Sequence, residues 1–284
     1  MRACEDGDLE QVQRLIDQGA NIEAKTLRLT AENGHAAIVG LLVRAGADVN
    51  DNQGGEESTA LILASQHGHV DVVDCLLSLG ADTEARNLHG KTALMEACFN
   101  RRIDVVDRLL AAGCDIHVQD RDGLTALMYA ADAGCVPIID RLVVHGADFH
   151  HQNKSEWNAM MLASMYGHIE AVDRLLSLGC DVNAQNVQGK TALMLACSCR
   201  KVNVVRLLLD HGADPLLCNK ERKRAIDLTV SSPEIRNLLH GLILLSFHHH
   251  HKMEIDIKPQ TDLLNITNET ERMKDFVSSS DSNE

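Results

Sequence analysis

Aromatic side chains are scarce in this chain: Trp, Tyr and Phe together number seven among 284 residues. Each one that is present is therefore informative. Positive charge is short as well, with 27 Lys and Arg against 41 Asp and Glu and a formal net charge of −14. Binding a phosphate backbone needs clustered cations that displace counterions, so nucleic acid is excluded as the expected partner. No apolar stretch approaches the ~20 residues of a membrane-crossing helix; Leu242-Ile-Leu-Leu-Ser-Phe247 is far too short, and the opening Met-Arg-Ala-Cys-Glu-Asp lacks the apolar run of a secretory signal. No membrane insertion is expected, and the location expected is intracellular, in cytoplasm or nucleus. Nucleophile-elbow, phosphate-loop and zinc-protease motifs are missing, so neither catalysis nor a cofactor is expected. The nine cysteines are odd in number and do not read as a disulfide framework. They fit free thiols in a reducing compartment. The sequons at Asn153, Asn265 and Asn268 are accordingly expected to stay unglycosylated.

What is present is a repeat. Gly80, Gly113, Gly146, Gly179 and Gly212 stand 33 residues apart, each followed by Ala or Cys and then Asp. A period near 33 marks a solenoid built from one helix pair and a hairpin-like turn per unit. Thr59, Thr92, Thr125, Asn158 and Thr191 each precede an apolar run, and a side-chain oxygen there accepts from the first free N–H groups of a helix. A first helix of about nine residues is expected to end near Gly68, Gly134 and Gly167, where glycine readily turns left-handed. In the second helix, pairs such as Val105/Val106 and Leu109/Leu110 recur at helical spacing and make one face apolar. One pair cannot cover that face; stacking at least about three buries it in a continuous core. Polar segments such as Asn87-Leu-His-Gly90 and Asp120-Arg-Asp-Gly123 carry the turn signals of protruding fingers.

The blocks Thr-x-Leu-x-x-Ala, Gly-His-x-x-x-Val and Leu-Leu-x-x-Gly-Ala-Asp at this period resemble the ankyrin repeat, over residues 1–240, in five regular copies and three imperfect ones. The resemblance implies an all-α repeat solenoid: an ankyrin-type stack of about eight helix pairs with β-hairpin-like fingers and a concave groove that binds other proteins. It brings no catalytic residues. The chain departs from the family pattern in three ways. Ala60, Ala93, Ala126, Ala159 and Ala192 stand where the family has Pro, and Ile62, Met95, Met128, Met161 and Met194 where it has His, which predicts apolar packing at that layer. Gly19 to Gly46 spans 27 residues, six short, so Asn21-Ile-Glu-Ala-Lys-Thr26 has no room for a full finger and the N-terminal edge is expected to be weak. Residues 241–284 leave the periodicity as an acidic, Ser-rich tail expected to be disordered; residues 253–284 hold eight Asp or Glu against three Lys or Arg. The resemblance also marks Asn50 and Asn183, in Asp-Val-Asn at a finger's base, as candidates for intracellular asparagine hydroxylation.

Five of the seven aromatics, Phe99, Tyr129, Phe149, Trp157 and Tyr166, fall between residues 99 and 166. Trp157 shares its repeat position with Lys91, Leu124 and Lys190 and is expected to face the groove. Trp and Tyr dominate hot spots at interface centres, so Trp157, Tyr166, Tyr129 and Phe99 are the candidate partner contacts. Phe149 takes a core Val slot, and local packing is the competing reading for the two Tyr. Arg101 and Arg102, like Arg200 and Lys201, replace Gly-His at the end of a first helix and form a rim able to steer an acidic segment. His35, His69 and His168 keep the Gly-His and read as structural. Lys220-Glu-Arg-Lys-Arg224 makes the last finger basic. The residues together point to a monomeric scaffold or adaptor for other proteins. Two other readings compete with it. One is a substrate-recruiting adaptor of a larger enzyme such as a ubiquitin ligase, and the other a metal-responsive protein using His248 to His251, with Cys197-x-Cys199 a weaker metal candidate than structural thiols.

Overall fold

All five expected caps form. The hydroxyls of Thr59, Thr92, Thr125 and Thr191 accept from the N–H groups of Ile62, Met95, Met128 and Met194 at 3.3–3.4 Å. Asn158 Oδ1 accepts from Met161 N–H at 2.9 Å. Each satisfies a donor that the helix itself leaves unpaired. The computed structural model describes residues 1–20, 24–52, 58–229 and 232–241.

Helices pair along the chain: α1 (Arg2–Glu5) with α2 (Leu9–Asp17), α3 (Ala24–Glu32) with α4 (Ala36–Arg44), and α5 (Ala60–His67) with α6 (Val70–Ser78). The same unit recurs as α7 (Ala93–Phe99) with α8 (Ile103–Ala111), α9 (Ala126–Asp132) with α10 (Val136–Val144), α11 (Ala159–Tyr166) with α12 (Ile169–Ser177), and α13 (Ala192–Ser198) with α14 (Val202–Asp210). An eighth unit consists of the 3-10 turn Ala225–Leu228 and a helix over 233–241. First helices pack on first helices from α3 to α13, and second helices on second helices from α2 to α14, all within the unit Met1–Leu239.

The two layers bury differently. A first helix lies between neighbours and is buried nearly all round: Ala93 to Cys98 of α7 and Ala192 to Cys197 of α13 are buried without a break. A second helix buries one face, as with Val105, Val106, Leu109 and Leu110 of α8. Fully burying one such side chain contributes about 1.5–3 kcal/mol, so the stack is held mainly by these stripes. Ile62, Met95, Met128, Met161 and Met194 are at most 1% exposed, the apolar layer expected where the family has His. Cys98 and Cys197 are fully buried, Cys114 and Cys180 nearly so, and all nine cysteines are free thiols. On the outer face Asp74–Arg108, Asp107–Arg141 and Asp140–Arg174 form a ladder of ion pairs. Each is solvent-exposed and contributes less than about 1 kcal/mol.

Two details refine the expectations. The first helices after α1 run seven to nine residues, because α7, α9 and α13 stop one residue earlier than α5 and α11, which run on to the left-handed Gly68 and Gly167. The fingers are tight turns, and no strand forms among the described residues. The N-terminal pair α1 and α2 buries only Ala3, Cys4 and Val12. The shortened first finger falls on residues 21–23, outside the described residues, as do the acidic tail beyond 241, His248 to His251, Asn265 and Asn268.

Candidate functional site

Asn87, Asp120, Asn153, Asn186 and Asn219 recur at 33-residue spacing, and each builds its finger the same way. Asp120 Oδ1 accepts from Asp122 N–H at 2.9 Å and from Leu124 N–H at 2.8 Å. The other four repeat both bonds with their own residues two and four further on. One side-chain oxygen thus closes the turn, as Asn and Asp do in Asx turns. Neighbouring fingers are linked by a single main-chain bond, such as Arg121 N–H to His89 O at 3.1 Å and Lys154 N–H to Asp122 O at 3.1 Å.

On two repeats the same residue also reaches across to the first helix, nine positions later. Asp120 Oδ2 accepts from the Tyr129 hydroxyl at 2.5 Å, and Asn87 Nδ2 donates to Glu96 Oε1 at 3.4 Å. Asp120, Tyr129 and Glu96 are all nearly buried, at 7, 7 and 8% exposure. Lys91 completes the group: its ammonium lies 3.5 Å from Glu96 Oε1, 4.5 Å from the Tyr129 ring centre and 5.0 Å from that of Phe99. Phe99 and Tyr129 meet edge to face at 5.9 Å. A cation between a carboxylate and two ring faces is held both by charge and by the ring quadrupoles. Burial, and then the bond to Asp120, pushes the Tyr129 phenol well above its ordinary range, so it stays protonated and donating.

Exposure separates the sequence candidates. Phe99, at the end of α7, is 42% exposed and Tyr166, at the end of α11, 50% exposed. Both are large apolar surfaces on the face where the first helices end. Tyr129 is turned into the stack and presents only its surroundings. Trp157 is half-buried, packs against the core and does not join the Phe99–Tyr129 pair, while its backbone N–H bonds Asn153 Oδ1. Phe149 packs against the core as expected. On the helix between those that end in Phe99 and Tyr166, Asp132 ends α9 and is half-buried. Burial raises its pKa, opposed by His168 and Lys91, and its charge is the first cause of the raised phenol of Tyr166.

Arg101 and Arg102 have different parts. His69 Nε2 bonds Glu32 O at 2.7 Å, His168 Nε2 bonds Asp132 O at 2.9 Å, and Arg102 Nε donates to Gln66 O at 3.1 Å, so Arg102 is one rung of a ladder that ties several repeats to the one before. Each such side chain lies against a left-handed glycine; a Cβ on Gly134 would sit 2.4 Å from the His168 ring. Arg101 occupies that glycine's place with φ +59° and is exposed. The residue that would pack against it is the small Cys135. A left-handed non-glycine residue costs about 1–2 kcal/mol, so Arg101 is held in place against its own backbone preference.

Asn50 and Asn183 sit at finger bases. Asn50 Oδ1 accepts from Asp82 N–H and Asn183 Oδ1 from Asp214 N–H, both at 2.8 Å, joining each finger to the next repeat. The sequence places Lys91 and Asp120 only as finger positions and does not single out Glu96 or Asp132. The 33-residue recurrence of Asn or Asp marks Asp120 as the residue that closes its turn; the parts of the other three emerge only from the packing of α7 on α9.

Helix pairs stacked in a 33-residue register, with capped turns projecting along one face, define a repeat solenoid. The chain belongs to the ankyrin-repeat family: the model described as ankyrin repeats (3 copies) matches residues 1–87, 27–120, 75–153, 94–186 and 127–219. Solved relatives agree. The ankyrin repeat domain of human ASB11 is 25% identical with a TM-score of 0.67, over 75% of this chain and 95% of that one. The ankyrin repeat domain of Bcl-3, described as a member of the IkappaB protein family, is 28% identical with a TM-score of 0.62, over 75% and 97%. No curated protein matches the chain. Ankyrin repeat domains are protein–protein interaction modules, which is the general capacity this fold brings.

Proposed function

We propose that the chain is a non-catalytic scaffold or adaptor inside the cell, in cytoplasm or nucleus, that binds partner proteins on the concave face formed by first helices and fingers. The observation that carries this reading is the exposure of Phe99 and Tyr166 on one face. Large aromatics at the middle of an interface are the side chains that supply most binding energy. Arg101, two residues after Phe99, adds an exposed side chain on a left-handed backbone, as Arg200 does at the same position three repeats on. Free thiols throughout fit a reducing compartment.

The test compares the wild-type chain with Phe99→Ala/Tyr166→Ala. Proteins retained from a cell extract by the wild type should lose about 2 kcal/mol or more of affinity for the variant, with the melting temperature nearly unchanged. A sharply lowered melting temperature with affinity intact among folded molecules overturns the assignment. Asn50 and Asn183 are proposed modification sites; mass spectrometry of protein from cells that hold an asparagine hydroxylase should find one or both about 16 Da heavier, the mass of one added oxygen. Both peptides unmodified removes that proposal.

A further inference from the structure

We infer that the inner face carries a subsite for a positively charged side chain of the partner, centred on Asp132 between the exposed rings of Phe99 and Tyr166. The inference rests on the protein-binding reading above and names the chemistry of the occupant. Three successive first helices supply the three groups: Phe99 ends α7, Asp132 ends α9 and Tyr166 ends α11. The Asp132 carboxylate is half-buried and makes no hydrogen bond or ion pair among the described residues. The cations that reach it are committed elsewhere. His168 binds the Asp132 carbonyl oxygen, and Lys91 binds Glu96. A carboxylate drawn out of water without a partner is costly, and an arriving cation offsets that cost while keeping its own solvent contact in a groove.

The molecule already contains the same recognition in filled form. One repeat earlier Lys91 is held by the Glu96 carboxylate at 3.5 Å and by two ring faces. At the repeat position of Lys91 the next finger has Leu124, so the chain itself supplies no second cation. The exposed parts of Phe99, one side of whose ring Lys91 already covers, and the exposed ring of Tyr166 beside the Asp132 carboxylate suit an arginine or lysine on an extended segment. The acidic balance of the chain, −14 overall, favours the approach of a basic partner.

The experiment pans random dodecapeptide libraries with a fixed central Arg, Lys, Leu or Glu over the full chain, over Asp132→Asn and over Phe99→Ala/Tyr166→Ala. Retention of the Arg and Lys pools above the Leu and Glu pools is expected, falling about tenfold or more on Asp132→Asn as for a desolvated charge pair. Thermal unfolding of Asp132→Asn should be no lower than wild type, because the substitution removes a half-buried charge that makes no hydrogen bond or ion pair among the described residues. Pools that lose retention on the aromatic variant yet show no cation preference overturn the cation subsite and leave the groove standing. Retention indifferent to the aromatic variant, or absent for every pool, overturns both readings.

Discussion

The inner faces of α7 and α9 and of α11 and α13 use the same repeat positions for opposite chemistry. Asn87 and Asp120 are paired across their fingers with Glu96 and Tyr129, whereas Asn153 and Asn186 face Leu162 and Leu195 at the matching positions. The buried amide nitrogen of Asn186 is left without a partner in the second arrangement. Both versions form the same capped turn and the same helix. The polar, aromatic version is therefore not something the fold requires, and its two nearly buried carboxylates, Asp120 and Glu96, are costs that the Asn and Leu at the matching positions avoid. Residues kept against the preference of the fold are the ones to examine for binding.

The largest effect should come from breaking the first region at its hub. Asp120→Ala removes the acceptor for two backbone N–H groups and the Tyr129 hydroxyl at once, and should cost about 3 kcal/mol in denaturant unfolding. Asp120→Asn keeps the turn, as Asn does in four other fingers, and should cost only about 1 kcal/mol. Equal losses would mean that the turn bonds, which both regions share, contribute nothing.

A smaller effect tests the ladder between repeats. Cys135→His, which copies the His168 rung into the place beside Arg101, should destabilise by about 2 kcal/mol through overpacking. Arg101→Gly alone should stabilise by about 1 kcal/mol by relieving the left-handed backbone, and the loss from Cys135→His should vanish in that background. Additive changes would show that the two sites do not touch.

The smallest effect lies in the shared core. Ser65 and Ser164 are fully buried with hydroxyls that have no partner, at the repeat position where Cys98, Ala131 and Cys197 fit without a polar orphan. Ser164→Ala should raise stability by about 1 kcal/mol, measured by urea unfolding. A loss of stability would place an unseen acceptor at that hydroxyl.

What the sequence revealed and what it hid follow the range of each interaction. The caps at Thr59, Thr92, Thr125, Asn158 and Thr191 act over three residues and were legible. So were the helix pairs, because their apolar spacing is local, whereas the sequence left local packing open for Tyr166, which is half exposed. Tyr129 could not be placed from its position alone, since its hydroxyl turns inward only because Asp120, nine residues back in another element, accepts it. The half-burial of Trp157 against the core was likewise hidden, as was the tie from Arg102 to Gln66, 36 residues away. The pairing of Arg101 with Cys135 is readable in hindsight: where Arg101 replaces the left-handed glycine, the bulky rung 34 residues on gives way to a small residue.

The central claim is that the polar, aromatic face of α7 and α9 serves binding and is dispensable for folding. Grafting the second region's residues onto the first, as Glu96→Leu/Phe99→Met/Asp120→Asn/Tyr129→Leu/Asp132→Ser, tests it in one protein by thermal unfolding together with retention of the Arg and Lys peptide pools. The account predicts a melting temperature within about 5 °C of wild type, a change on the order of 1–2 kcal/mol for a domain this size, and retention reduced by about tenfold. A collapse of the melting temperature with retention preserved in the molecules that remain folded would contradict it.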